Sequence, residues 1–299
     1  MTTLDRDQPP AAPAGRAPRE RMLAGLAVTE RRLHVAGVST TVLEAGDGPP
    51  LVLLHGGIEC GGAYWAPVIS RLAESHRLVV PDVPGLGESE PLARLDEATF
   101  ADWLGSLARS TCEQRPTLVA HSLLGTLATR FAARRADLLA RLVVYAAPGV
   151  GHYRMPLAFR VVAIRYGLRP TERNNERFER WALFDLDRTR ARDPDWFAAF
   201  DSYVLSRAVV PHVKRTMRQL IRAGTKQVPD SELRQIQVPT DLLWGRHDRM
   251  TPLSLGEDAS ARLGRPLQVI DDAGHVPHIE QPEAFVRALL AAPEARSGR

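Results

Sequence analysis

Val119-Ala120-His121-Ser122-Leu123-Leu124-Gly125 sets a serine directly after an apolar strand and directly before a long helix. A tight strand-to-helix turn there lifts the hydroxyl clear of the sheet and brings it to the positive end of the helix. Such a turn needs small residues two places either side of the serine. Ala120 meets the first requirement, whereas Leu124 occupies the second position and the glycine follows one place later, at Gly125. An N-capping serine leaves the same local signature, so the reading depends on what the rest of the chain supplies.

Around this turn the chain alternates. Arg32–Val38 and Thr41–Glu44 read as a strand pair, and Pro50–Leu54 as a continuous apolar strand ending at His55-Gly56-Gly57. A helix pattern over Ala63–Glu74 and a strand over Arg77–Val80 follow, the latter running into Pro81-Asp82-Val83-Pro84-Gly85. Then come a helix (Thr99–Arg109), a strand (Thr117–Ala120), a helix (Leu124–Ala140) and a strand (Leu142–Ala146). From about Val150 to Lys226 the strands stop and helical stretches rich in arginine and aromatic residues take over. Alternation resumes with strand Asp241–Trp244, helix Leu253–Leu263, strand Leu267–Ile270 and helix Pro282–Ala291. Strands apolar on both faces between amphipathic helices predict an α/β fold: a mostly parallel sheet of roughly eight strands, covered by helices on both faces. The expected organisation is a disordered tail over residues 1–28 ending in a short docking segment, a core over 29–149 and 227–299, and a helical cap inserted over 150–226.

A serine hydroxyl is a weak nucleophile until a base takes its proton, and that base needs an acid to fix its tautomer. The strand Leu242–Trp244 ends in Gly245-Arg246-His247-Asp248-Arg249, which puts Asp248 on the loop at the strand's C-terminal edge. The last strand ends in Asp271-Asp272-Ala273-Gly274-His275-Val276-Pro277-His278, which puts His275 on the final loop, with His278 as its rival. In a parallel sheet these loops open at one edge, where ligand sites of α/β folds form. A turn aspartate or a surface histidine is ordinary taken singly. Serine, aspartate and histidine at three strand ends, in that order, read as a catalytic triad. Acyl transfer also needs donors for a developing oxyanion. The candidates are the backbone N–H of Leu123 and that of Gly57, with Ile58 as the alternative on the same glycine-rich loop.

His55-Gly56-Gly57, Asp82-Val83-Pro84-Gly85-Leu86-Gly87-Glu88-Ser89, Ala120-His121-Ser122, Gly245-Arg246-His247-Asp248 and Gly274-His275 with Glu280 and Pro282 together resemble the α/β-hydrolase fold family. The resemblance spans about residues 30–150 and 226–295. It implies a hydrolase without a cofactor, carrying a helical cap after the sixth strand, with Ser122 as nucleophile, His275 as general base and Asp248 as orienting acid. Serine at position 122 argues against the dehalogenases and epoxide hydrolases of the family, which use aspartate there. The glycine-rich loop and Gly-Arg-His-Asp-Arg look like the carbon–carbon hydrolases of ring-fission products. Those usually carry tryptophan where this chain has Val276. A carboxylic-ester or lactone hydrolase is the broadest class left, carbon–carbon cleavage is the alternative, and a non-catalytic ligand-binding member of the fold is the second alternative.

Composition narrows the partners. The 299 residues are 44% hydrophobic and 25% charged, which excludes wholesale disorder. No run approaches the ~18 apolar residues of a membrane span, and Met22–Val28 is too short, and too late after Asp5 and Asp7, for a secretory signal. Residues 151–230 hold 16 Lys and Arg against 9 Asp and Glu, a surplus of +7, so the remainder sums to −3 beneath the net +4. Basic and acidic residues alternate there (Glu172-Arg173, Glu176-Arg177, Glu179-Arg180), as on a solvated helix face, so neither a nucleic acid nor a membrane is expected as partner. The segment also holds 10 of the 18 aromatic residues. Phe178, Trp181, Phe184, Trp196, Phe197 and Phe200 fit cap packing, or in part the lining of an apolar pocket, for which Ile58, Trp181 and Val276 are the candidates. The expected partner is thus a small apolar or aromatic molecule. His275 and His278, split by Pro277 and without a third ligand nearby, do not make a metal site, and no metal is expected. Cys60 and Cys112 cannot build a disulfide framework, and a reducing, cytoplasmic setting is expected.

Overall fold

The computed structural model describes residues 16–291. Helix α1 (Arg16–Met22) precedes the antiparallel pair β1 (Thr29–Val35) and β2 (Val38–Ala45). The βα alternation then runs β3 (Pro50–Leu54), α2 (Ala66–Ala73), β4 (Arg77–Pro81), α3 (Glu97–Thr111), β5 (Thr117–His121), α4 (Ser122–Arg134) and β6 (Arg141–Tyr145). Five helices follow without a strand: α5 (Leu157–Leu168), α6 (Glu172–Ala182), α7 (Leu186–Arg192), α8 (Pro194–Ala208) and α9 (Pro211–Gly224). The chain closes with α10 (Asp230–Leu233), β7 (Thr240–Gly245), α11 (Leu253–Leu263), β8 (Leu267–Ile270), α12 (Pro277–Glu280) and α13 (Pro282–Leu290).

The eight strands form one sheet in the order β1-β2-β4-β3-β5-β6-β7-β8. Pairing is antiparallel at β1–β2 and β2–β4 and parallel from β4 onward. The central strands are buried on both faces, as their unbroken apolar runs require. Trp65, Trp103 and Trp244 are fully buried within this core. Their burial does not strand the indole N–H of the latter two: Trp103 donates to Thr40 Oγ1 at 3.1 Å and Trp244 to the Thr251 carbonyl at 2.8 Å.

Three expectations need correction. The first hairpin turns at Ala36-Gly37, both at positive φ, rather than at Ser39-Thr40; the Gly supplies the left-handed backbone that a two-residue hairpin turn needs. The helix expected to run to Ala140 stops at Arg134 and yields to a short 3-10 turn. The disorder expected over 1–28 does not hold from residue 16 onward; residues 1–15 lie outside the described residues. Helix α1 is ordered because Arg19, 2% exposed, meets the buried Asp82 at 3.2 Å and Glu30 at 3.0 Å. Met22 beside it is equally buried. A proline- and arginine-rich composition conceals such a contact, since its partner lies more than sixty residues away.

Candidate active site

Ser122 opens α4 at φ +51, a left-handed value at which a non-glycine residue is strained. The backbone thus lifts the hydroxyl out of the sheet as the local sequence suggested. The glycine that the elbow needs is Gly125: a Cβ there would stand 2.8 Å from the Ala120 carbonyl and 2.8 Å from Ala147 Cβ. Leu124 is fully buried and belongs to the hydrophobic core. The late glycine is therefore the position of close helix–strand approach, and Leu124 fills core volume.

The hydroxyl of Ser122 lies 2.9 Å from His275 Nε2. His275 Nδ1 lies 2.7 Å from Asp248 Oδ2. The three residues come from the ends of β5, β7 and β8, which the parallel pairing brings to one edge of the sheet. All three are at least nine-tenths buried. Asp248 is held by its own loop: Oδ1 accepts the backbone N–H groups of Met250 and Thr251, each at 2.8 Å. The Thr251 hydroxyl lies 2.9 Å from Asp248 Oδ2 and 2.9 Å from His275 Nδ1. It also stands 3.1 Å from the Ala146 carbonyl. Its single proton goes to one of those oxygens, so toward His275 it is an acceptor. A ring proton on Nδ1 is thereby shared between Asp248 and Thr251, and Nε2 is left as the acceptor facing Ser122.

The loop that carries His275 is fixed from several sides. His275 N–H donates to the Ala182 carbonyl at 2.7 Å. The ring of His121 donates from Nε2 to the His275 carbonyl at 2.9 Å. Burial, with His275 and His278 nearby, pushes the His121 pKa well below its usual value, so the ring stays neutral. Glu280 bridges the loop to the helical insertion, accepting Gly274 N–H and Phe184 N–H, each at 2.6 Å. Burial pushes the Glu280 carboxyl up to about 7, against the opposing pull of those backbone donors. Gly274 permits this approach, because a Cβ there would stand 2.6 Å from the Ala182 carbonyl. Arg249 completes the link by donating to the carbonyls of Arg180 and Leu183. The rival His278 is fully buried and faces the Tyr145 hydroxyl at 3.1 Å.

A cavity of about 760 Å³ opens above Ser122 and His275. Ile58 and Val276 are in its wall, as are Gly57 and Leu123. Gly57 and Leu123 adjoin: a Cβ on Gly57 would lie 3.5 Å from Leu123 Cβ. The Gly57 N–H is 3.3 Å from His55 Nδ1 and the Ile58 N–H 3.5 Å from the same atom, both long for hydrogen bonds. Trp181 is not among the lining residues; its ring packs on Phe159, which is, at 5.5 Å between centroids. Phe178, Phe197 and Phe200 line the cavity, whereas Trp196 stacks behind Phe200 at 5.2 Å and Phe184 stacks on His247 at 4.0 Å. Helix α9 closes against the elbow, where the backbone of Gly224 meets Leu123.

Thr251 and Glu280 were not singled out from sequence as positioning groups. Thr251 had a signal, three residues after Asp248 in Asp-Arg-Met-Thr, the spacing at which an aspartate accepts backbone N–H groups of its own loop. Among the described residues no group of three or more His, Cys, Asp or Glu side chains is placed to hold a metal ion. Among them, too, no helix is long and apolar enough to cross a membrane.

The sequence profile of the alpha/beta hydrolase family matches residues 51–288. The pimeloyl-[acyl-carrier protein] methyl ester esterase of Vibrio vulnificus is 31% identical over 265 residues, covering 82% of this chain and 94% of that protein. The 2-hydroxy-6-oxo-6-(2'-aminophenyl)hexa-2,4-dienoic acid hydrolase of Metapseudomonas resinovorans is 27% identical over 285 residues, covering 89% of this chain and 91% of that protein. Among solved structures, the 2-hydroxy-6-oxo-6-phenylhexa-2,4-dienoate hydrolase of a Rhodococcus superposes with a TM-score of 0.76 at 21% identity, covering 88% of this chain and 97% of that one. At that identity the superposition speaks for the fold.

Proposed function

The chain belongs to the alpha/beta hydrolase family, and from that membership we propose a carboxylic-ester hydrolase that works through an acyl-enzyme on Ser122. The observation that carries the reading is the relay Ser122 Oγ–His275 Nε2 at 2.9 Å and His275 Nδ1–Asp248 Oδ2 at 2.7 Å, set in a cavity of about 760 Å³. Ester cleavage is favoured by the 31% identity to a methyl ester esterase over most of both chains.

In this mechanism Ser122 Oγ attacks the ester carbonyl as its proton passes to His275 Nε2. Asp248, with Thr251 beside it, holds the ring orientation and stabilises the imidazolium. The carbonyl oxygen gains charge and is met by the backbone N–H of Leu123 at the N-terminus of α4 and by that of Gly57. His275 then protonates the departing alcohol. Water, deprotonated by the same nitrogen, attacks the acyl carbon and releases Ser122. No step requires a cofactor. Residues 150–226 act as a cap over a core made of 29–149 and 227–291, the last eight residues of the expected core lying outside the described ones, and the apolar wall selects a small apolar or aromatic substrate. Two free cysteines, Cys60 and Cys112, fit a reducing cytoplasmic setting.

A panel of 4-nitrophenyl esters, lactones and vinylogous diketones, run against wild type and Ser122→Ala, tests the assignment. Ester turnover that is lost in the variant is expected. Turnover of the diketones alone favours carbon–carbon cleavage, and no turnover together with no labelling by a fluorophosphonate leaves the ligand-binding alternative.

A further inference from the structure

Several polar side chains interrupt the apolar cavity wall, and one of them is a carboxylate without a cation of its own among the described residues. Glu59, four residues after His55 on the loop that follows β3, lines the cavity and is 8% exposed. Tyr166 of α5 lines the same wall at 7% exposure, and its hydroxyl adjoins the Glu59 carboxyl without completing a hydrogen bond of good geometry. The backbone that carries Glu59 is firmly placed: its carbonyl accepts Gly87 N–H at 3.0 Å, Arg19 reaches the Cys60 carbonyl, and Gly62 N–H donates to Asp82 Oδ1 at 2.5 Å.

Glu179 shows how this fold treats a buried carboxylate that it neutralises itself. Arg190 donates to its Oε2 at 2.6 Å and Asn175 to its Oε1 at 3.1 Å, and both donors also serve Asp201. Glu59 meets no such cation among the described residues. Burial pushes its carboxyl up to about 7, with its own backbone N–H and the adjoining Tyr166 hydroxyl pulling the other way. An ionised carboxylate facing an apolar cavity is costly unless a donor or a cation meets it. Two carboxylate oxygens and a phenolic oxygen make an acceptor-rich wall, which suits a group with several N–H donors and a positive charge. Of the cations that line the cavity, Lys214 and Arg218 belong to α9, and Arg160 sits on α5 six residues before Tyr166 with an exposed side chain and no ion pair to Glu59.

We propose that Glu59, with the Tyr166 hydroxyl, forms a recognition subsite for a protonated amine, so that the molecule taken by the Ser122 cavity joins an apolar body to a cationic end. The inference rests on the cavity being the substrate site but not on which bond is cleaved there.

The experiment measures binding of hexylammonium, 1-hexanol and hexanoate to the Ser122→Ala protein by calorimetry. Hexylammonium is expected to bind about tenfold or more tightly than 1-hexanol, in line with a charge-assisted hydrogen bond. In Ser122→Ala with Glu59→Gln the ratio falls to about unity. Should that double variant not fold, Ser122→Ala with Tyr166→Phe takes its place, with the ammonium preference reduced but not abolished. Equal binding of ammonium and alcohol to the Ser122→Ala protein overturns the proposal. So does a preference that survives Glu59→Gln, or tighter binding of hexanoate, which would place charge recognition at Arg160, Lys214 or Arg218. Because turnover is not read, failure of the ester assignment leaves this measurement intact, and its failure leaves the ester assignment standing.

Discussion

The Thr251 hydroxyl stands 2.9 Å from His275 Nδ1, the same ring nitrogen that Asp248 Oδ2 approaches at 2.7 Å. Two acceptors converge on one ring proton, so the tautomer that leaves Nε2 free for Ser122 is doubly supported. Thr251→Val removes one of them and leaves Asp248 in place. Its kcat for a 4-nitrophenyl ester should fall about 10- to 100-fold, the equivalent of one hydrogen bond to a charged group, with KM little changed. Thr251→Ser should restore most of the rate. A Thr251→Val enzyme with undiminished kcat would show that Asp248 alone orients the ring.

The elbow predicts a contrast between neighbours. Gly125→Ala forces a methyl against the Ala120 carbonyl and Ala147. It should destabilise the protein by about 1–3 kcal/mol and lower activity by moving the turn that holds Ser122. Leu124→Ala empties buried core volume and should cost about 2–5 kcal/mol. Its kcat should stay near wild type under conditions where the fold persists. Urea unfolding and kcat measured on both variants check this. Equal effects on kcat would deny that the close approach sits at Gly125.

Arg19 should matter far more than its place near the chain's beginning suggests. Asp82 is fully buried, and its carboxylate takes Gly62 N–H and Glu88 N–H besides the guanidinium. Removing the cation leaves a buried charge with backbone donors alone. Arg19→Ala should therefore lower stability by about 3–5 kcal/mol, read as a shift in the urea midpoint. A loss below about 1 kcal/mol, typical of an exposed pair, would mean that helix α1 does not hold its place.

Stability should respond to pH in two regimes. Burial lowers the pKa of His55 and of His278 from 6.5 to about 3, and that of His121 well below 6.5. Such groups stabilise the fold above 6.5, and their contribution is lost as pH falls through the window below it, because the unfolded chain binds protons that the folded one refuses. Glu59 and Glu280, raised from 4.5 to about 7, and Glu179, also raised by burial, act in the opposite sense. Their contribution is full below 4.5 and fades as pH rises toward 7. Between pH 6.5 and 4.5 the two sets oppose each other and stability should change little. Below 4.5 the histidines act alone, at about 1.4 kcal/mol per pH unit for each. In Glu280→Gln one opposing group is gone, so stability should already fall from pH 6.5. Urea midpoints between pH 8 and 4 measure the slopes, and identical slopes for the two proteins would contradict the assignment.

Much of this was legible in the sequence because the strands announce themselves. Pro50–Leu54, Thr117–Ala120 and Leu267–Ile270 are short apolar runs between helix patterns, and in a parallel sheet their ends fall at one edge whatever the loops do. That Ser122, Asp248 and His275 meet at one edge could therefore be read from order alone. What escaped depends on partners distant along the chain. Arg19 looked like part of a disordered tail because Asp82 is its counterpart. Glu280 entered only as part of a family motif, with no role assigned, because Phe184 and Gly274 are what it joins. Trp181 was expected in the cavity wall, but helical spacing alone does not tell the first layer of an aromatic cluster from the second, and Phe159 stands in front of it. Glu59 gave no signal, since an acidic residue in a glycine-rich loop reads as solvated.

The proposed chemistry requires that Ser122 carry the acyl group. Peptide-resolved mass spectrometry of the protein after brief exposure to a fluorophosphonate, with Ser122→Ala beside it, addresses this most directly. One covalent adduct is expected, located on the peptide containing Ser122, absent from the variant, and matched by a loss of ester turnover of about ten-thousandfold or more in that variant. An adduct on another residue, or ester turnover that persists in Ser122→Ala, would contradict it.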